Sequence, residues 1–504
     1  MVYNLLRAFR TPLLCLLAFI VLYLLHQFMA KLQGLHEAQG TPLPKNVVLR
    51  HSERDSKRKE SSGSQQEANQ ANQANLEVLL RGKEEEHWVG QPTADQCAPY
   101  PRYEDIEFPN PHFQLTRHGN LSYYLYGAHY DRRPRIPEMV ILGMVTTCGG
   151  PYPPAYLQMW YDGETRAETV PVHQSKFGWY KEWGNLEGVA YPTVLTFQLK
   201  TQRVPQLVSL VFDPCAVPRN AFQVTPPPSE EPPKPQRPKR IGVCVKYLNF
   251  PDVDMSDRFV EWLELMRLLG ASKVTAFDIG HLMANTRRTL DHYMRPEDGF
   301  LELRPFRFPN EIDEHVNFRL MVSEVLLYTD CLYRSLYDFD FVAVVDVDEV
   351  IMPLGEHHSW QDLLGYLQSR DVNSTARSSY CFRNVYYSQH LSVEESVPEQ
   401  FFMLRHVNRQ AEHSDPNYSV KCLHDTSYIT VMHNHFPLQW MDAERPYDVS
   451  TDLGQMQHYR DTENLNLKME PPPVRDDNIR RFQHQLIHNA REVHRQLAQS
   501  LAAY

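Results

Sequence analysis

Asp346, Asp348 and Glu349 interrupt an otherwise apolar run, Phe341-Val342-Ala343-Val344-Val345 before them and Val350-Ile351-Met352 after them. Acid at that density inside a buried strand is costly unless positive charge compensates it. Side chains alternate along an extended chain, so Asp346 and Asp348 are expected to leave on one face and converge on one cation. Carboxylate oxygens favour a hard divalent ion such as Mg²⁺ or Mn²⁺. The chemistry implied is a metal site that neutralises a diphosphate.

The elements that must position these acids begin at Ile241. Ile241–Val245 reads as a strand; Phe259, Trp262, Leu263, Met266 and Leu269 then recur at helical spacing, and Gly270 closes the helix. Lys273–Phe277 is a second strand, a helix follows to Tyr293, Leu301–Leu303 is a third strand, and a long helix over Val316–Leu336 precedes the Phe341 strand. This alternation implies a parallel sheet with right-handed crossovers, whose ligands bind beyond the carboxyl ends of the strands. Of three Asp-x-Asp pairs, Asp252/Asp254 falls in a loop and Asp338/Asp340 before the fourth strand; only Asp346/Asp348 is expected at a carboxyl end.

The chain has 504 residues and a formal net charge of −11. That length implies more than one domain, and an acidic chain without a basic run excludes nucleic acid as an expected partner. Residues 11–30 are almost wholly apolar and follow Arg7 and Arg10. They read as a transmembrane signal anchor, with a cytoplasmic tail at 1–10 and the body translocated. Residues 31–95 read as a flexible polar stem. Residues 96–223 carry short apolar runs broken by Gly and Pro, a small β-rich lumenal domain; Trp160, Trp179 and Trp183 there serve packing in preference to sugar stacking. Residues 224–240 form a proline-rich linker.

Of eight cysteines, Cys15 lies in the apolar segment and seven in the body. None forms a Cys-x-x-Cys pair, so disulfides are expected, with at least one thiol left over. Three sequons, at Asn120, Asn373 and Asn417, are compatible with glycosylation in the secretory pathway.

Several stretches together resemble glycosyltransferase family 92: Ile241-Gly242-Val243-Cys244-Val245-Lys246, the helix Glu261–Gly270, Asp330-Cys331-Leu332, Val345-Asp346-Val347-Asp348-Glu349 and His458-Tyr459-Arg460. The resemblance covers Ile241 to about Arg460. It implies an α/β, GT-A-type, Rossmann-like nucleotide-sugar-binding domain over 241–470, before a C-terminal helix at 471–504. It further implies UDP-galactose as donor, Mn²⁺ as cofactor, inversion at the anomeric carbon, and a single-pass type II protein of the Golgi membrane with its catalytic body in the lumen. The expected acceptor is a fucose or galactose of an N-glycan on a glycoprotein, and a homodimer is allowed; the alternatives are a transferase of the same fold with another UDP-sugar as donor, and a membrane-anchored glycan-binding protein.

Within that resemblance Asp348 is the first metal ligand, with Asp346 helping through the metal or the ribose. A histidine from the C-terminal part completes the set: His433 and His435 would face one side of an extended chain, and His458 lies in the matching His-Tyr-Arg. His458 and His435 are carried forward. Arg460 is expected to pair with a phosphate, and Asp278, after the second strand, to hold the uridine or to cap the next helix. Inversion needs a general base. Glu412, Asp415, Asp425, Asp442 and Glu349 are the candidates, with Asp442 and Glu349 joining Asp346 and Asp348 in the expected catalytic set. Ile479, Phe482, Leu486, Ala490, Val493 and Leu497 trace one face of the C-terminal helix, which should pack on the body.

Overall fold

The computed structural model describes residues 73–82, 97–164, 166–228, 238–309, 316–370, 376–460 and 472–502, all within one compact unit, Ser64–Tyr504. The expected tail, signal anchor and most of the stem lie outside them, as do 229–237 of the linker. Among the described residues no helix is long and apolar enough to cross a membrane. One part of the expected stem is corrected. Residues 73–82 form a helix that buries Leu76 and Leu80 against Tyr100, Ile106 and Trp160, because these two leucines, one turn apart, offer an apolar stripe that polar neighbours had masked.

The strands and helices expected from Ile241 onward all form. Ile241–Phe250, Ala271–Leu282, Leu301–Pro305 and Phe341–Val344 are parallel, joined through helices Ser256–Leu268, Ala284–Tyr293 and Val316–Ser335. The seven-stranded sheet runs Leu301, Ala271, Ile241, Phe341, Lys421–Asp425, Ser379–Phe382, Tyr447–Asp448, with the Lys421 strand antiparallel to the Phe341 strand. Strand order therefore reverses between Ile241 and Phe341, which opens a crevice at their carboxyl ends. Phe341 and Ala343 face one core, Val342 and Val344 the other, which is why the run reads as continuously apolar. Gly270, at φ +100°, ends its helix where a Cβ would strike the Gln361 carboxamide.

Before this sheet stand two antiparallel ones. Six strands run Glu107–Asn110, Phe113–His118, Leu121–Asp131, Glu138–Val145, Tyr191–Gln198, Gln174–Phe177; four run Phe222–Gln223, Leu207–Val211, Tyr156–Trp160, Glu168–Pro171. All eight residues of Glu138–Val145 are buried. Met139, Ile141 and Val145 face the four-stranded sheet; Val140, Leu142 and Met144 face Val322, Val325 and Leu326 of the long helix. The six-stranded sheet is thus shared between two cores. Trp179 packs edge-on against Phe318, and Trp183 against His433 and Phe436, so these tryptophans join layers.

Disulfides join Cys97–Cys215, Cys244–Cys331 and Cys381–Cys422, leaving Cys148 as a buried free thiol. The second ties the Ile241 strand to the long helix. Helix Gln483–Ala502 and the turn before it bury Ile479, Leu486 and Ala490 in the same core as Trp262 and Leu263, as the apolar stripe predicts.

Candidate active site

The Phe341 strand stops at Val344, short of the acids. Glu349 N–H donates to Asp346 O at 3.0 Å, and Asp346 N–H donates to Glu349 Oε2 at 2.8 Å. This closes a turn over Asp346–Glu349, after which Glu349–Pro353 leaves as a new strand against Gly454–His458. The alternation argument for Asp346 and Asp348 is therefore corrected: a turn, with the Glu349 side chain as its clasp, sets their directions. Trp262 Nε1 donates to Glu349 O at 3.0 Å and fixes the turn to the first helix.

Two lysines hold this turn. Lys421, wholly buried, lies 2.9 Å from Glu349 Oε2 and 3.5 Å from Asp346 Oδ2, and also donates to Asn434 Oδ1. Lys246, just past the part of the Ile241 strand that pairs with Phe341–Val344, lies 3.4 Å from Asp346 Oδ1 and 3.1 Å from Glu324 Oε1. Burial alone would raise the Asp346 pKa, but Lys246 and Lys421 outweigh it and hold the carboxyl well below the usual range. Burial works against the Lys421 charge in turn, and Asp346 and Glu349 restore it. Asp346 thus faces two ammonium groups, while its Oδ1 is buried without a hydrogen-bond partner.

Asp348 faces outward and is more open. His458 Nε2 stands 3.6 Å from its Oδ2, and Tyr459 N–H donates to Asp348 O at 2.8 Å. Strand register sets His458 directly opposite Glu349, and its ring stacks on Tyr386 with centroids 5.1 Å apart. His458 Nδ1 is buried without a hydrogen-bond partner. Arg258, from the first helix, is within electrostatic reach of Asp348. Among the described residues no three His, Cys, Asp or Glu side chains are grouped to hold a metal ion. Asp348 and His458, 3.6 Å apart, could together offer an oxygen and a nitrogen to a divalent ion whose remaining ligands came from substrate phosphate and water.

His435 is half-buried, its pKa pushed down to about 3 by desolvation and Lys421, with Asp346 within electrostatic reach. Its neutral ring meets Val420 O at 3.3 Å through Nδ1. His433 stacks on Phe436 with centroids 4.9 Å apart and accepts His435 N–H through Nδ1. The two histidines therefore lie on a turn, which corrects the extended-chain argument for their shared face. Asp278 lies within the strand Ala271–Leu282 and not after it, which corrects its expected position, and both its oxygens are engaged, by Gly280 N–H and Arg287, 2.7 and 2.8 Å away. Arg460 is the last described residue before 461–471 and is part-exposed beside the His458 strand.

Asp442 is placed elsewhere. Asp425 pairs with Phe341, at the amino end of the central strand, and Tyr428, whose electrostatic neighbours are Asp425 and Asp442, accepts Met441 N–H there. Asp442 and Asp425 thus stand at the opposite end of the sheet from Asp348, which corrects Asp442 as a catalytic residue. Its place is set by the hairpin Ile429–Met432 to Pro437–Trp440, which returns the chain to that end.

Lys421, Arg258 and Glu324 were missed by sequence reasoning. Lys421 had a signal of the kind that exposed Asp346: a lone charge beside Val420, Cys422 and Leu423 in a buried strand. Arg258 and Glu324 gave none, since charged residues on helices are usually solvated.

The profile of glycosyltransferase family 92 matches residues 239–495, just over half of the chain. The chain belongs to glycosyltransferase family 92. Among curated proteins none matches it. Among solved structures it is similar to the galactosyltransferase LgtC in complex with donor and acceptor sugar analogs, at 14% identity over 37% of this chain and 58% of that one, TM-score 0.16. A mycobacterial protein matches at 11% identity over 30% of this chain and 42% of that one, TM-score 0.18. The chain thus spans about half the length of those structures, and at such scores the likeness carries no argument.

Proposed function

We propose that this glycosyltransferase moves galactose from UDP-galactose to a fucose or galactose of an N-glycan, with inversion and with Mn²⁺ as cofactor. The carrying observation is the Asp348–His458 pair, set beside Lys246 and Arg258 at the point where strand order reverses. Mn²⁺ bound there would supply Lewis-acid neutralisation of the departing diphosphate. Asp348 and His458 would hold it. Lys246 and Arg258 add fixed positive charge where the diphosphate forms, without reorganisation. Asp346 and Glu349 keep the turn in place, and Glu349, closed in by Lys421 and His458, does not reach an acceptor.

With Asp425 and Asp442 at the far end, Glu412 and Asp415 remain as bases. Both are exposed; Glu412 lies within, and Asp415 directly after, the segment in which Gln410 and Ser414 N–H groups donate to Tyr386 O and Asn384 O, alongside the ring that stacks on His458. The three disulfides and the apolar segment at 11–30 support a lumenal body on a Golgi type II anchor. Asn120 and Asn417, both exposed, are open to glycosylation.

The test is UDP release from a panel of UDP-sugars with a glycan mixture, with Mn²⁺ or with chelator. Turnover with UDP-galactose that chelator abolishes is expected. Preference for another UDP-sugar overturns the donor, and turnover indifferent to chelator overturns the metal.

A further inference from the structure

Trp179 and Trp183 share the loop between strands Gln174–Phe177 and Tyr191–Gln198, and the loop uses them differently. Trp179 is 4% exposed, packs on Phe318 and donates Nε1 to Gly184 O at 3.0 Å. Gly184, at φ +121°, lets the loop close on the long helix where a Cβ would meet the Phe318 ring at 2.8 Å. Trp179 and Gly184 thus anchor the loop, and Trp183 stays part-exposed. Tyr180, 44% exposed, stands edge-on to Trp183 with centroids 4.8 Å apart. Trp183 also meets the part-exposed ring of His433, 5.0 Å between centroids, and His433 in turn stacks on Phe436. Rings from two separate layers, the six-stranded sheet and the hairpin after Lys421, form one accessible surface.

That surface borders the acid turn. Asn434, between His433 and His435, accepts a hydrogen bond from Lys421, which lies 2.9 Å from Glu349 and 3.5 Å from Asp346. An ammonium only donates, so the Asn434 carboxamide must turn Oδ1 toward Lys421, and Tyr328 Oη donates to the same oxygen at 3.3 Å. The Asn434 NH2 group is left facing away from Lys421, and no described residue accepts from it. Lys421 meets Asp346 through Oδ2 and Lys246 meets it through Oδ1, and the Lys421 strand flanks the Phe341 strand on the side away from Ile241. The rings therefore border the acid turn on the side away from the charge assigned to the diphosphate. Accessible ring faces beside one oriented amide donor are the complement of a sugar, whose C–H face packs on a ring and whose hydroxyls accept hydrogen bonds.

We propose that Trp183, with Tyr180, His433 and Asn434 around it, is a specificity-determining subsite for the acceptor glycan and holds the sugar unit next to the one that receives the transfer. It rests on the transferase reading, whatever the donor sugar. The test takes the full chain, with the UDP-sugar that it turns over, on an N-glycan carrying terminal galactose and core fucose, and on free galactose and free fucose. Trp183→Leu is expected to raise the glycan KM about tenfold, through KM and not kcat, with the donor KM unmoved. The preference for the glycan over the free monosaccharide, as a ratio of kcat/KM, falls by the same factor. Tyr180→Ala, at an exposed position, shifts that ratio the same way by less, and Trp183→Phe, which keeps a ring, recovers most of it. An unchanged ratio in both Trp183→Leu and Tyr180→Ala, an equal loss on glycan and monosaccharide, or a raised donor KM overturns the subsite. Absence of turnover by the wild-type chain on every acceptor overturns the transferase reading instead. Saturation-transfer NMR with the same glycan and no donor then decides the subsite by itself: signal from the wild-type chain that Trp183→Leu loses supports it, and no signal, or equal signal, overturns it.

Discussion

The two ends of the strand Phe341–Val344 carry nearly the same acids and use them differently. At its amino end Asp338 is exposed, and Asp340 Oδ2 accepts Arg240 N–H at 2.7 Å, ordinary backbone duty at the start of a sheet. At its carboxyl end Asp346 is locked between two lysines, and Asp348 is turned out beside His458. An Asp-x-Asp spacing therefore carries no chemistry by itself; buried cations and the end of the sheet decide what it does. A third buried acid sharpens the point. Glu261 is 1% exposed and accepts Met403 and Leu404 N–H groups, each at 2.9 Å. With amide donors in place of lysines, burial wins and pushes its pKa up to about 7.

The contrast breaks most sharply at Asp348. Asp348→Ala is expected to lower kcat roughly a thousandfold or more with the melting temperature kept; retained turnover would place the metal elsewhere. Lys421→Met should cost about 3–5 kcal/mol of stability in denaturant titration, because it strands Asp346 and Glu349. A loss under 1 kcal/mol would mean that the turn does not depend on it. His458→Ala is expected to raise the Mn²⁺ needed for half-maximal activity roughly 10–100-fold, whereas the same change at His433 should leave it unmoved.

Glu261 and Asp346 predict opposite pH windows. The folded Glu261 holds its proton more tightly than the unfolded chain, whose value is about 4.3. Its contribution thus favours the fold at low pH and declines as pH rises from about 4.3 to about 7. Asp346, depressed, contributes fully above its unfolded value of about 3.9 and loses that contribution as pH falls below it. Glu261→Gln should flatten the melting temperature between pH 5 and 7; an unchanged slope would assign that titration to another group. Smallest of all, Asp338→Ala should change stability by less than about 0.5 kcal/mol and leave turnover untouched.

The alternation of strands and helices was legible because a sheet covered on both faces leaves long apolar runs, and Val342–Val345 show it. The position of Asp346 and Asp348 at the ligand end followed from chain order. Their geometry did not, since turn closure by the Glu349 side chain is a tertiary event with no periodic signature. Glu349 entered as one of several candidate bases and acquires a different role as clasp and partner of Lys421. Asp442 misled because a hairpin of only a few residues reverses the chain, and nothing local says to which end of the sheet it returns. Leu76 and Leu80 were too few among polar neighbours to stand out.

The sheet shared between two cores sets a practical bound on dissecting this protein. Because Val140, Leu142 and Met144 cover Val322, Val325 and Leu326, a fragment starting at Ile241 would present an apolar helix face to water and aggregate. The smallest workable recombinant piece begins upstream of Cys97, whose bond to Cys215 closes the earlier layer. Calorimetry of that piece should record both layers melting as a single cooperative event.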